Sequence, residues 1–209
     1  NLYIFTGTHA TPENIRKFHP NLIVNATGSG PLLPPINGLM DNIDKEGGNV
    51  YSILGMISHI NDFPQDLEGK KIAVIGGGAV GLDVVEFFAA RKADISIVEM
   101  MDQIGRDLDP VTKNDTKCMM KSHDVHQLTK TALLEVKADS FLVKGSEGEY
   151  ELPFDYGFVC LGMRAKGQLY PQLLEAFSDD DVEVINIGDS QRARRIIDGT
   201  MEGRNILYH

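Results

Sequence analysis

The stretch that most constrains this chain begins at Lys71 and reads Lys-Ile-Ala-Val-Ile-Gly-Gly-Gly-Ala-Val-Gly-Leu-Asp. An apolar-periodic run follows, then Asp-Ile-Ser-Ile-Val-Glu, which ends at Glu99. Residues 71–75 are short, apolar and β-branched, the pattern of a strand buried on both faces of a parallel sheet. Gly76, Gly78 and Gly81 then supply G-x-G-x-x-G, with Gly77, Ala79 and Val80 between them. Val80, Val84, Phe87 and Phe88 recur at helical spacing and predict one apolar helix face. Residues 94–98 read as a second strand, closed by the acid Glu99.

Each glycine answers a physical demand. Gly76 allows a sharp strand-to-helix turn. Gly78 lacks a side chain, so a pyrophosphate can approach the backbone. Gly81 lets helix and strand pack closely. The pyrophosphate would sit on free N–H groups at the positive end of the helix. Glu99 can accept hydrogen bonds from an adenosine ribose. A glycine-rich βα turn in some other doubly wound protein is the competing reading. The preceding strand, following helix and closing acid favour the dinucleotide, because together they supply the context this motif requires. Asp83 reads either as a polar group near the dinucleotide or as an acid in the helix's first turn.

The 209 residues suffice for one large domain or two small ones, and 42% hydrophobic residues provide for a core. A net charge of −10 argues against nucleic acid or an anionic membrane as the main partner. No apolar run reaches the ~18 residues of a membrane span, and a cytoplasmic location is expected. Cys118 and Cys160 form no C-x-x-C and read as two buried or inert thiols in a reducing compartment, with Cys160 in an apolar strand pattern. His123 and His126 are close, but nothing at ligand spacing completes a metal site, and none is expected. No catalytic nucleophile or acid–base dyad is evident.

Elsewhere, residues 1–8 alternate loosely and predict a strand. Thr11-Pro-Glu-Asn opens a short helix with Thr11 as cap. Residues 21–26 read as a strand running into Gly28. Pro31, Pro34, Pro35 and Gly38 make an extended crossing segment, and residues 50–61 a short helix. Residues 110–122 predict a helix. Residues 127–136, 140–143 and 150–152 predict a β-meander, with its clearest turn at Gly145-Ser-Glu-Gly148. Residues 155–161 and 182–187 are further strands. Residues 191–207 carry a helical pattern.

The order of Ala26-Thr27-Gly28-Ser29, Pro34, Gly38, the central fingerprint, Cys160-Leu161-Gly162 and Ile187-Gly188-Asp189 resembles the two-dinucleotide flavoprotein reductases. Gly81-Leu-Asp-Val-Val-Glu-Phe-Phe is similar to that superfamily's helix. The tail, Gly188-Asp-Ser, then Arg194-Arg195-Ile-Ile-Asp-Gly, then Glu202-Gly203, resembles the multidomain old-yellow-enzyme group of dienoyl-CoA reductase, 2-enoate reductase and trimethylamine dehydrogenase. Two departures stand out. Asp83 replaces the family's glutamate, and the family's first G-x-G-x-x-G would lie upstream of Asn1.

The resemblance implies an α/β fold, with a Rossmann-like NAD(P)-binding domain carrying a β-meander and inserted into a partial FAD-binding domain. The expected bounds are 1–66 for the first FAD-domain segment, 67–164 for the NAD(P)H domain and 165–209 for the FAD-domain return. The implied cofactors are NAD(H), and FAD in the intact parent, with little FAD retained by this chain alone. FMN and an iron–sulfur cluster would belong only to upstream domains. The implied chemistry is hydride transfer from NADH to FAD, with electrons passing on to an enoate- or enoyl-type substrate. Gly162 would bring backbone against the nicotinamide half, or serve as a plain turn. Gly28 would lie near FAD, or in a simple turn. Gly188 and Asp189 would face the FAD ribityl chain, with Asp189 also read as a helix cap. The implied partners are the dinucleotides and an upstream barrel of the parent chain, with a homo-oligomer left open. The alternative is a nucleotide-binding or docking domain without redox activity of its own.

Overall fold

The computed structural model describes residues 2–206. The chain divides into two compact units, one of Asn1–Gly30 with Met163–His209 and the other of Pro31–Gly162. The expected boundaries at 66/67 and 164/165 stand against breaks at 30/31 and 162/163. Residues 31–66 lie within the central unit because they supply it with a strand and two helices.

The first unit opens with α1 (Pro12–Arg16), capped by the Thr11 hydroxyl, which accepts from the Asn14 N–H at 3.2 Å. Strand β1 (Leu22–Asn25) and the short β2 (Ser29–Pro31) follow. Residues 2–8 form no strand, contrary to their alternation. No neighbouring strand among the described residues offers them a ladder, and Leu2, Tyr3, Ile4 and Phe5 are exposed.

The central unit begins with α2 (Leu39–Asn42), β3 (Val50–Ser52) and α3 (Ile53–Ser58). The expected helix over 50–61 is therefore a strand followed by a helix, with the Ser52 hydroxyl capping α3 by accepting from the Gly55 N–H. The fingerprint builds β4 (Lys71–Ile75), α4 (Ala79–Ala89) and β5 (Asp94–Val98). Next comes α5 (Pro110–Ser122), whose Asp109 carboxylate accepts from the N–H groups of Val111 and Thr112. Strands β6 (His126–Leu128), β7 (Ala132–Val136), β8 (Ser140–Gly145), β9 (Gly148–Pro153) and β10 (Tyr156–Val159) complete the unit. The expected strand over 127–136 breaks in two around Lys130, which takes a left-handed φ of 52°.

β3, β10, β4, β5 and β6 lie in that order in one parallel sheet. Strands β7, β8 and β9 form the antiparallel meander, with Gly145 opposite Gly148 at its turn. Alternate residues explain why the sheet strands are apolar throughout. Ile72, Val74, Ile95 and Ile97 join the α4 side of the core with Val84 and Phe88. Ala73, Ile75 and Val98 join the other side with Phe141, Val143 and Leu39. The buried face of α4 is wider than the sequence spacing predicts. Leu82, Val85 and Ala89 are buried with Val84 and Phe88, whereas Val80 and Phe87 are only partly covered.

The chain returns to the first unit through β11 (Met163–Ala165), which pairs with β2, and α6 (Leu169–Ala176). Strand β12 (Glu183–Asn186) then runs parallel to β1. A 3-10 turn over Gly188–Ser190 leads to α7 (Ile196–Asn205), so the last helix starts five residues later than its sequence pattern suggests. The Arg195 N–H donates to the Asp198 carboxylate in its first turn. Among the described residues, no helix is long and apolar enough to cross a membrane.

Candidate functional site

The parallel sheet changes winding direction beside β4: α4 leads to β5 on one side, and β10 lies on the other. Ligands of open α/β sheets bind at the carboxyl ends of strands at such a point. Here the ends of β4, β5 and β10 converge on a cavity of about 580 Å³. That volume falls in the roughly 300–1,000 Å³ range of small-molecule sites. Gly76, Gly78, Ala79, Val80, Glu99 and Gly162 all line it.

The three fingerprint glycines are demanded for three different reasons. Gly76 has a φ of +107°, and a Cβ there would lie 2.2 Å from the Cys160 carbonyl oxygen. A Cβ on Gly81 would lie 1.9 Å from the Gly76 carbonyl oxygen, so this glycine sets the approach of helix to strand. Gly78 is different: a Cβ there meets nothing within 4 Å. No protein contact requires this glycine, and the open space lies at the start of α4, where no side chain caps the helix. The N–H groups of the first turn therefore remain available to an anion.

Glu99 stands at the end of β5 with both oxygens engaged. The Gly77 N–H donates to Oε2 at 2.7 Å, and the Met101 N–H donates to Oε1 at 2.8 Å. The carboxylate thus pins the fingerprint turn to the second strand, and each oxygen keeps further acceptor capacity. The Gly77 carbonyl in turn accepts from the Gly105 N–H at 2.7 Å, which fixes the loop after β5.

Asp83 lies apart from this cavity. It faces a cleft between α4 and α5 with Leu108, Thr112 and Met119. It is the fifth residue of the helix, so the first-turn reading fails: the first turn of α4 holds no acid. Packing around it, and then the charge of Glu86, raise its pKa. Cys160 lines the cavity wall but is almost wholly buried. Burial, followed by the charge of Asp83, pushes its thiol up to about 12. A nucleophilic thiolate is thereby disfavoured. Cys118 is exposed and Cys160 buried, and both cysteines are free.

Other parts of the cavity carry no recognisable signal in the sequence. Leu32, Pro34 and Ile36 of the crossing segment form one wall, and Thr131, Ala132 and Leu133 at the start of β7 form another. The proline cluster predicts an extended segment, but not what that segment lies against.

Gly28, Gly188 and Asp189 belong to the first unit. Gly28 has a φ of +76° and open space beyond its Cα. The Gly188 N–H donates to Glu202 Oε2 at 2.6 Å. Asp189 accepts from the Ser29 hydroxyl and from the Arg194 N–H, each at 3.0 Å. It therefore anchors the loop before α7, while the helix itself starts beyond it.

The profile described as pyridine nucleotide-disulphide oxidoreductase matches residues 5–188. The chain is 26% identical over 204 residues to an NADH oxidase of Thermoanaerobacter brockii, covering 97% of this chain and 30% of that protein. It is 28% identical over 198 residues to a bilirubin reductase of Mediterraneibacter gnavus, covering 94% of this chain and 28% of that protein. Its fold is similar to part of a 2-naphthoyl-CoA reductase in complex with 2-naphthoyl-CoA, with a TM-score of 0.77 at 22% identity, covering 94% of this chain and 28% of that one. The chain thus spans about three tenths of the length of these curated relatives.

Proposed function

The chain belongs to the pyridine nucleotide-disulphide oxidoreductase family, and from that premise we propose that it is the NADH-binding part of a larger flavoprotein oxidoreductase. One observation carries the reading. The uncapped start of α4, with the open space at Gly78, shares a cavity with the Glu99 carboxylate. An anionic pyrophosphate and a ribose hydroxyl require that pairing of donors and acceptor.

In this reading the N–H groups at the start of α4 bind the pyrophosphate, and Glu99 accepts from the ribose. The backbone at Gly162 and the wall formed by Leu32 and Pro34 would enclose the nicotinamide half and exclude water. NADH supplies the hydride and FAD accepts it, while the protein supplies orientation and electrostatics. Gly28, with its open face, and the loop held by Asp189 and Gly188 are proposed to lie against FAD. We place FMN and an iron–sulfur centre in further domains of the parent, passing electrons to an enoate- or enoyl-type substrate. The old-yellow-enzyme-like tail supports that last step, as does the likeness to a 2-naphthoyl-CoA reductase.

The test is a calorimetric titration of NADH into the wild-type chain and into Gly78→Val, with circular dichroism to check the fold. Wild type should bind. The variant fills the space where the protein itself makes no contact, so it should keep its spectrum and lose about a hundredfold in affinity, roughly 2.7 kcal/mol at 1.36 kcal/mol per decade. No binding by wild type, or equal binding by both, overturns the reading.

A further inference from the structure

Two carboxylates line the candidate dinucleotide cavity, and they differ in how they are held. Glu99 gives one oxygen to the Gly77 N–H and the other to the Met101 N–H. Asp107 lines the same cavity, is exposed, and among the described residues has no hydrogen-bond or ion-pair partner. Its place is nonetheless fixed. The Gly105 N–H donates to the Gly77 carbonyl at 2.7 Å, and the Leu108 N–H closes a turn onto the Gly105 carbonyl at 3.2 Å. Asp107 sits inside that turn. A single residue, Gly77, therefore ties both carboxylate-bearing segments together, its N–H to Glu99 and its C=O to the Asp107 turn.

The other charges near the end of β5 are placed differently. Asp102, three residues after Glu99, lines a separate groove against α5 and does not reach the cavity. Arg106 is exposed and is absent from the cavity wall, although its neighbour Asp107 forms part of it.

We propose that Asp107 is a specificity-determining residue that disfavours NADPH, its unpaired carboxylate facing the charge that a 2′-phosphate would bring into the cavity. The inference rests on the NADH-binding reading above. Two backbone N–H groups already compensate the charge of Glu99, leaving it to accept from a ribose hydroxyl. Asp107 has no such compensation, so an added phosphate dianion meets its charge directly. Like-charge juxtaposition is a means of rejecting a wrong ligand.

The experiment is calorimetric titration of NADH and NADPH at one low ionic strength into wild type, Asp107→Asn and Asp102→Asn. Wild type should prefer NADH. Asp107→Asn should narrow the NADH-over-NADPH affinity ratio about two- to fivefold, the scale of an exposed charge pair. Asp102→Asn should leave it unchanged. Raising the salt should shrink the wild-type preference, because exposed charges are screened. If wild type prefers NADH but Asp107→Asn leaves the ratio unchanged, this inference fails and the NADH-binding reading stands. If Asp102→Asn matches Asp107→Asn, the effect is bulk charge and the inference fails. If wild type binds neither nucleotide, both fail.

Discussion

The two units of this chain both contain parallel strands, but they bury them to different depths. In the central unit, β4 and β5 are covered on both faces. Ile72 and Val74 point to the α4 side, while Ala73 and Ile75 point to the meander side. In the other unit, β1 is covered on one face only. Ile23 packs with Leu173 and Phe177, while Leu22 and Val24 are each 38% exposed. Parallel sheets are ordinarily buried on both faces, and two strands alone are marginal. The difference teaches where stability and precision reside. The fingerprint turn sits on the thick core, so its geometry is held within about the tolerance that a binding site requires.

The largest effect expected to test this contrast is Phe88→Ala. Phe88 is fully buried and packs on Phe158 and Phe63, with centroids 4.8 Å and 5.2 Å away. Its truncation should cost about 3–5 kcal/mol. Leu173→Ala should cost about 2 kcal/mol, near the low end of such changes, since its small cluster can collapse. Hydrogen exchange provides the readout. Phe88→Ala should accelerate exchange in β4 and β5, and Leu173→Ala only in β1 and β12. Equal acceleration of β4 by both variants would show that the units unfold as one.

Next come the glycines. Gly81→Ala forces a Cβ onto the Gly76 carbonyl oxygen at 1.9 Å, backbone against backbone. Its cost should reach the upper part of the overpacking range, about 3 kcal/mol. Gly188→Ala in the other unit meets nothing closer than the Gly199 Cα at 3.8 Å. It should cost only the strain of its φ of +64°, about 1–2 kcal/mol. Chemical denaturation of both variants checks the ranking, and a larger loss for Gly188→Ala would reverse it.

The central unit was also the more legible of the two in sequence, for the same reason. Where local pattern and tertiary burial agree, the residues announce their structure. The fingerprint, the Pro110 start of α5 and the Gly145–Gly148 turn all appear where expected. Where tertiary contacts decide, the pattern misleads. Residues 2–8 alternate like a strand but have no ladder to join among the described residues. Val50–Ser52 reads as helix but pairs with β10, because the sheet has an edge to fill. Of the candidate site, Gly76, Gly78, Gly81 and Glu99 were readable from spacing. The displacement of Asp83 toward α5 was not, and neither was the presence of Asp107 and Leu32 in the cavity wall. Those depend on how the turn at Gly105 and the crossing segment fold back.

The two cysteines measure the depth of the central core. At pH 8 one thiol, Cys118, should label quickly, and Cys160 should label only on unfolding. The folded pKa of Cys160 is about 12, above its ordinary 9.0. A raised folded pKa contributes stability that is present below the unfolded value and lost as pH rises through the folded one. Wild type should therefore weaken between about pH 9 and pH 12. Cys160→Ala should be less stable at neutral pH, yet its stability should fall less steeply across that window. Parallel curves for the two proteins would show that Cys160 does not drive the alkaline loss.

The smallest effect concerns one surface carboxylate in each unit. Asp155 accepts from the Lys71 N–H at 2.8 Å with one oxygen and from Lys70 Nζ at 2.9 Å with the other. The backbone bond first, and then the Lys70 bond, hold its pKa below the ordinary 3.8. A depressed folded pKa contributes stability that is present above the unfolded value and lost as pH falls through the folded one. Asp180 pairs with Arg16 at 2.5 Å, with both side chains well exposed and, among the described residues, no backbone N–H on the carboxylate. At pH 7, after solvent screening, Asp155→Asn should cost a few tenths to about 1 kcal/mol, and Asp180→Asn less. Denaturation at pH 7 and at successive steps below the ordinary 3.8 separates the two. The deficit of Asp155→Asn should shrink toward zero in acid, because wild type has by then lost the charge that the variant lacks. A deficit that persists unchanged would place its origin in altered packing at the start of β4 rather than in the carboxylate's charge.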